Sequence, residues 1–174
     1  MIQLNLMNSI QRNPGMVLHY GATLFIWLCI LLNASPALSM ISGPAYISDG
    51  DSLRIDGQRI RLFGIDAPEL KQTCLNLSQQ PYPCGLIAKN VMISMTQNTK
   101  VTCKIIGRDR YKRIIAECYA GDKDLAKHMV EQGWALAYRR YSNKYVQEEN
   151  EAKQKKLGLF QGSFTPPWTF RRQN

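Results

Sequence analysis

Histidine is nearly missing from this 174-residue chain, with two in all, and acidic residues are few, with Asp+Glu at 13 against Lys+Arg at 22. Only His128 lies beyond the first forty residues, so a Ser-His-Asp or Cys-His hydrolase lacks parts. No CxxC pair occurs among the five cysteines, which argues against a zinc knuckle or a thioredoxin-like redox pair. Internal repeats and low-complexity linkers are absent. The longest apolar run, Gly21 to Leu32, is 12 residues, which is short for a bilayer span. Multi-span membrane proteins, collagens and disordered tails are excluded by a composition that is 45% hydrophobic and 20% charged.

What is present begins with a leader. Before Met40 the only formally charged residue is Arg12, and the apolar run is followed by Pro36 and then Ala37-Leu38-Ser39, small residues that suit signal peptidase. Residues 1–39 therefore read as a signal peptide, with an uncleaved anchor as the alternative and Met16 as an alternative start. Cys29 leaves with the leader, and Cys74, Cys84, Cys103 and Cys118 remain. An even count after export implies disulfides. The remaining chain keeps nearly all of the +9 charge, which favours a polyanionic partner.

One domain, residues 41–172, is expected. Ser52 to Phe63 alternates apolar and polar residues about Asp56-Gly57, a hairpin signal whose tight two-residue loop would set Leu53 opposite Ile60. Gly85 to Met95 carries Ile87, Val91 and Met95 at the spacing of one helix face, taken as the core face. Val101 to Ile106 and Ile114 to Tyr119 flank a basic tip, Gly107 to Arg113, in a second hairpin. A symmetric register there sets Cys103 across from Cys118, which leaves Cys74 to pair with Cys84. Asp124 reads as the N-cap of a helix that ends at Gly133, and a final helix spans about Tyr145 to Leu157. The class is α+β around a small barrel.

The acids are unevenly placed. Asp49, Asp51, Asp56, Asp66 and Glu69 fall close together, and none occurs from Leu70 to Arg108. Asp49-Gly50 and Asp56-Gly57 are turn formers. Asp51, Asp66 and Glu69 lie near strand ends, where a hard divalent cation would relieve their repulsion. Arg61 and Arg113 offer the planar fork that grips a phosphate through two parallel hydrogen bonds. His128, Trp134 and Trp168 read as structural residues, and Arg139-Arg140, Lys153, Lys155-Lys156 and Arg171-Arg172 as solvated faces.

Asp49-Gly50-Asp51-Ser52, RLFGIDAPE (Arg61 to Glu69), DRYKRIIAECY (Asp109 to Tyr119) and LAKHMVEQGWALAYRRY (Leu125 to Tyr141) together resemble the staphylococcal nuclease-like, or thermonuclease, family in its exported bacterial branch. The resemblance implies a five-stranded OB-type β-barrel with about three helices and Ca²⁺-dependent hydrolysis of DNA and RNA with low sequence specificity, leaving 5′-hydroxyl and 3′-phosphate ends. It implies Asp51 and Asp66 as metal ligands with the backbone carbonyl of Ala67, Glu69 as general base, and Arg61 and Arg113 as catalytic phosphate binders. Tyr111 matches a family tyrosine near the substrate. Two positions depart from the pattern: Ala67 stands where the family usually has threonine, and Lys112 where it usually has glycine.

The expected partners are DNA and RNA, single strands favoured, with no protein partner and a monomeric chain. The expected location is secreted or periplasmic, or membrane-anchored facing the periplasm if the leader stays. The rival function is an OB-type nucleic-acid-binding module with weak or no catalysis, because a fold does not guarantee an activity.

Overall fold

Residues 39–173 are described by the computed structural model. The expected leader falls outside them, apart from Ser39. The chain enters as β1 (Met40–Gly43), breaks at Pro44 and resumes as β2 (Tyr46–Ile47). It then forms the hairpin of β3 (Ser52–Ile55) and β4 (Gln58–Leu62). Asp56 and Gly57 both have positive φ, 48° and 74°, so the turn twists with its strands. Leu53 faces Ile60 as the alternation requires, and both are buried.

Next come β5 (Ile65–Asp66), a small ladder of β6 (Cys74–Leu75) with β7 (Pro81–Tyr82), and helix α1 (Cys84–Thr96). The core face of α1 is Ala88, Met92 and Thr96, one position on from the face read in the sequence. Val91 and Met95 are half-buried at its edge. Their apolar character marks the helix, but the close approach of its first turn to the chain at Glu69 sets the rotation. A Cβ on Gly85 would lie 1.8 Å from the Glu69 carbonyl oxygen, so only glycine lets the helix start there.

The second hairpin follows as β8 (Val101–Arg108) and β9 (Ile114–Ala120), with Cys103 facing Cys118. Disulfides join Cys103 to Cys118 and Cys74 to Cys84. Each bridge contributes about 2–4 kcal/mol, chiefly by restricting the unfolded chain. Then come β10 (Lys123–Asp124), α2 (Leu125–Glu131), β11 (Leu136–Ala137) and α3 (Val146–Gln154). Asp124 caps α2 by accepting from the Lys127 N–H at 3.0 Å, and Gly133 leaves the helix with φ +72°. A 3₁₀ turn (Gly158–Gln161) leads to a fourth helix, α4 (Pro167–Gln173), beyond the three expected.

The main sheet runs β1-β8-β9-β4-β3-β2, with β10 beside β9. Only the β4–β9 pair is parallel. The sheet curls back on itself, so that a Cβ on Gly43 of the edge strand β1 would lie 2.9 Å from Ile55 of β3. The result is the expected OB-type α+β fold, its strands curled into a half-barrel with four helices. Ile55, Ile60, Ile114, Met92, Leu125 and Met129 fill its interior. Each fully buried side chain of this size stabilises the fold by about 1.5–3 kcal/mol.

A second apolar cluster gathers the Cys74–Cys84 bridge, Leu136 and Leu159, with Phe164 and Trp168 against it. Here the C-terminal segment docks. Leu75 and Ser163 exchange backbone hydrogen bonds at 2.9 and 3.0 Å, and the buried Gln72 amide donates to the Thr165 carbonyl at 2.7 Å. No helix among the described residues is long and apolar enough to cross a membrane.

Candidate active site

Three short stretches converge at one end of the half-barrel. Asp51 immediately precedes β3, Arg61 lies on β4, and Asp66 ends β5; the β3–β4 pairing sets Arg61 opposite Ser52 and so beside Asp51, and Asp66 follows five residues along the chain. Gly50 permits the approach, since a Cβ there would meet the Ala67 Cβ at 2.8 Å. The Arg61 guanidinium bridges the two acids, with Nη1 2.6 Å from Asp51 Oδ1 and Nη2 2.5 Å from Asp66 Oδ1. Asp51 also accepts from Ser52 Oγ at 2.9 Å and from the Ala67 N–H at 2.8 Å. A main-chain donor thus engages the carboxylate whatever the side chain at position 67.

Burial makes this cluster electrostatically costly. Asp66 is wholly buried, and desolvation pushes its carboxyl above the usual range; the Arg171 hydrogen bonds oppose that shift and the Asp51 charge adds to it. Asp49, which accepts from the Asp51 N–H at 3.0 Å, is pushed up to about 7, first by burial and then by the Asp51 charge. It is therefore a turn former, as read from the sequence, and also a third acid beside Asp51 and Asp66.

Arg171 of α4 closes the group. Its Nη1 donates to Asp66 Oδ1 at 2.9 Å and to Glu69 Oε1 at 2.7 Å, while Nη2 donates to Asp66 Oδ2 at 2.8 Å. The sequence reading put Arg171 on a solvated face, and the structure corrects this. No local signal reveals the contact, because 105 residues separate it from Asp66. Glu69 itself is positioned through its backbone: its N–H donates to Gln72 Oε1 at 3.2 Å, and its carbonyl accepts from the Gln72 N–H at 2.7 Å.

The other half of the site is the β8–β9 tip. Parallel pairing sets Arg61 beside Ile115, and side-chain alternation carries Arg113, two residues earlier, to the same face. Asp109 organises the turn by accepting from the N–H groups of Tyr111 and Arg113, each at 2.9 Å, and from Arg113 Nε at 2.7 Å. Burial opposes the Asp109 charge, yet its bonds from Arg113 outweigh that and hold its carboxyl below the ordinary range. Lys112 has φ +61°, which is strained for a side chain with a Cβ. The Arg113 guanidinium lies 5.6 Å from the Tyr111 ring centre.

Arg61, Glu69, Tyr111 and Arg113 all line one groove of about 1320 Å³, with Tyr138, Arg140 and Tyr141 along it. Asp51, Asp66 and Ala67 lie buried behind its wall. Arg113 does not touch the carboxylates; it is bound to Asp109. Trp168 stacks on Tyr138, with rings 5.7 Å apart and 8° from parallel, and so borders the groove as well as the second cluster. Arg139 pairs with the buried Glu149. His128 does not line the groove. No set of three or more His, Cys, Asp or Glu among the described residues is arranged to hold a metal ion; Asp51 and Asp66 are the acids that Arg61 bridges.

A basic α+β half-barrel, with paired carboxylates buried behind an open groove lined by arginines, defines a class of protein built to meet phosphate-rich chains. Residues 59–162 match the family model described as staphylococcal nuclease homologue, and the chain belongs to that family. It is 32% identical over 135 residues to the succinoglycan biosynthesis protein ExoI of Rhizobium meliloti, covering 75% of this chain and 70% of the relative. An uncharacterized endonuclease of Escherichia coli is 34% identical over 135 residues, 73% of this chain and 82% of the relative. The staphylococcal-like nuclease CAN1 of Arabidopsis thaliana is 32% identical over 117 residues, 66% of this chain but 33% of that protein.

Proposed function

We propose that this chain is an exported Ca²⁺-dependent nuclease that hydrolyses phosphodiester bonds of DNA and RNA with little regard for sequence. The observation that carries it is the single groove shared by Arg61, Glu69 and Arg113, with Asp51 and Asp66 directly behind. The endonuclease and nuclease names of its relatives support the same reading. Two disulfides support export to an oxidising compartment, secreted or periplasmic.

The donor set fits a hard divalent cation. It is all oxygen, Asp51 and Asp66 repel each other, and an in-chain cation, Arg171, is already drawn to the gap. Asp51, Asp66 and the Ala67 carbonyl would hold the ion, with water completing the shell that two carboxylates leave open. Ca²⁺ bound there supplies Lewis-acid stabilisation of charge growing on the phosphate oxygens.

The protein's own residues do the rest. Arg61 is 14% exposed at its side chain and stays charged in the groove wall, where its field acts on a phosphate at short range. Arg113 grips the same phosphate from the other side. Because charge builds on the phosphorus oxygens during hydrolysis, both guanidinium groups stabilise the transition state more than the bound substrate. Glu69, partly exposed in the groove, accepts the proton of the attacking water. Tyr111 presents a ring at the rim for a base or sugar. An open groove that reads charge and ring faces favours flexible single strands. The family resemblance implies that cleavage leaves 5′-hydroxyl and 3′-phosphate ends.

Purified protein incubated with single-stranded DNA, with Ca²⁺ or with chelator, beside Glu69→Gln and Arg113→Ala, tests the reading. Calcium-dependent digestion depressed by both substitutions is the expected result. Tight binding without cleavage would mark a binding module instead, and digestion indifferent to chelator would remove the metal. A kinase that labels the product ends without prior phosphatase treatment reports the 5′-hydroxyl.

A further inference from the structure

The α4 helix lies beyond residues 59–162, the span that matches the family, and yet it reaches the centre of the site. Its Arg171 takes both oxygens of Asp66 and one of Glu69. Asp66 Oδ1 is also held by Arg61, so the Asp66 carboxylate is fully engaged by guanidinium groups. A divalent cation needs the same oxygens at short range, and no carboxylate oxygen binds a metal directly while a guanidinium sits between them.

We propose that Arg171 is a latch: it closes the Asp66–Glu69 carboxylates in the metal-free protein, and a divalent cation must displace it to enter. This rests on the metal-dependent reading of the site given above.

Two features make Arg171 a latch rather than a passing surface contact. The first is delivery. The segment before α4 is tied to the body through Leu75–Ser163 and Gln72–Thr165, and Trp168 lies flat on Tyr138, so the guanidinium returns to one place each time it is released. The second is freedom to leave. The Arg171 side chain is 36% exposed against 14% for Arg61, so it can swing into the groove by rotation about its own bonds while the helix stays docked. Arg61 lacks that freedom and stays with its acids.

The physical consequence is direct competition. With Arg171 closed, its guanidinium balances the charge of the buried Asp66, and the pocket is stable without metal. With a divalent cation bound, that charge is met by the ion and the arginine is free beside Arg172 at the rim. Removing the competitor therefore strengthens metal binding, whereas loss of a merely structural contact would loosen the site and weaken it.

Calcium titrated into the full folded chain by isothermal calorimetry, for the wild type, Arg171→Ala and Arg171→Lys, tests the latch, with thermal melting used to verify that each variant folds. Arg171→Ala is expected to bind Ca²⁺ about tenfold more tightly than the wild type. Arg171→Lys, whose single ammonium cannot hold both carboxylates in the same fork, is expected to fall between them and serves alone if the alanine variant does not fold. Equal or weaker binding in the variants, with calcium-dependent cleavage intact in the wild type, overturns the latch and leaves the nuclease reading standing. No calcium binding by any of the three overturns the metal reading, and the latch falls with it.

Discussion

Arg61 and Arg113, two of the arginines that line one groove, are held in opposite ways. Arg61 stands on a central strand between two acids, one of them wholly buried, and its neighbours are fixed by sheet register. Arg113 stands beside an exposed turn, tied to Asp109 four residues away, with a strained Lys112 before it. The first is part of the fold's charge balance, and the second is local equipment. A residue's contribution to cleavage and its contribution to stability are therefore separable on one side of the groove and fused on the other.

Predictions follow from that contrast, ordered by size of effect on cleavage. Glu69→Gln removes the proton acceptor and is expected to lower the rate of single-stranded DNA cleavage by about 10²–10⁴-fold, measured in gel or fluorescence assays. Arg61→Ala and Arg113→Ala are each expected to cost about 10²–10³-fold in cleavage. They part in denaturant titrations: Arg61→Ala leaves two buried carboxylates short of a partner and costs about 3 kcal/mol, while Arg113→Ala costs under about 1 kcal/mol. Equal stability losses would collapse the distinction.

Asp109→Ala leaves Arg113 in place but unaimed. About a tenfold fall in kcat with little change in melting temperature is expected, and an unchanged kcat would show that the turn needs no organiser. Lys112→Gly removes the cost of a positive φ, with a gain of roughly 0.5–1 kcal/mol in a denaturant titration and the smallest change in rate.

The sequence carried the hairpins well because their signals are local. Asp56-Gly57 signalled a tight turn whose two-residue loop sets Leu53 against Ile60, and a symmetric register in the second hairpin sets Cys103 against Cys118. The gathering of Arg61, Glu69, Tyr111 and Arg113 into one groove was legible only through motif order, because the parallel β4–β9 pairing that unites them leaves no periodic trace. The core face of α1 was misread by one position, since a glycine contact with the Glu69 carbonyl outweighs the apolar stripe. The fourth helix and Arg171 were missed for a related reason. A short C-terminal helix has little intrinsic stability, and it is docked by Trp168 and Gln72, whose partners lie far along the chain.

Pairing of β4 with β9 counts in whole residues, which governs how this nuclease fold tolerates change. Insertions between Asp109 and Lys112 can lengthen the hairpin tip outward while Ile114, paired with Ile60 at the first rung, holds the adjacent Arg113 backbone at its separation from Arg61. A single residue inserted between Arg113 and Ile115 would instead turn the guanidinium to the opposite side of the sheet. Diversity in how the rim greets its substrate is thus cheap, and diversity in the reach between the two cations is forbidden.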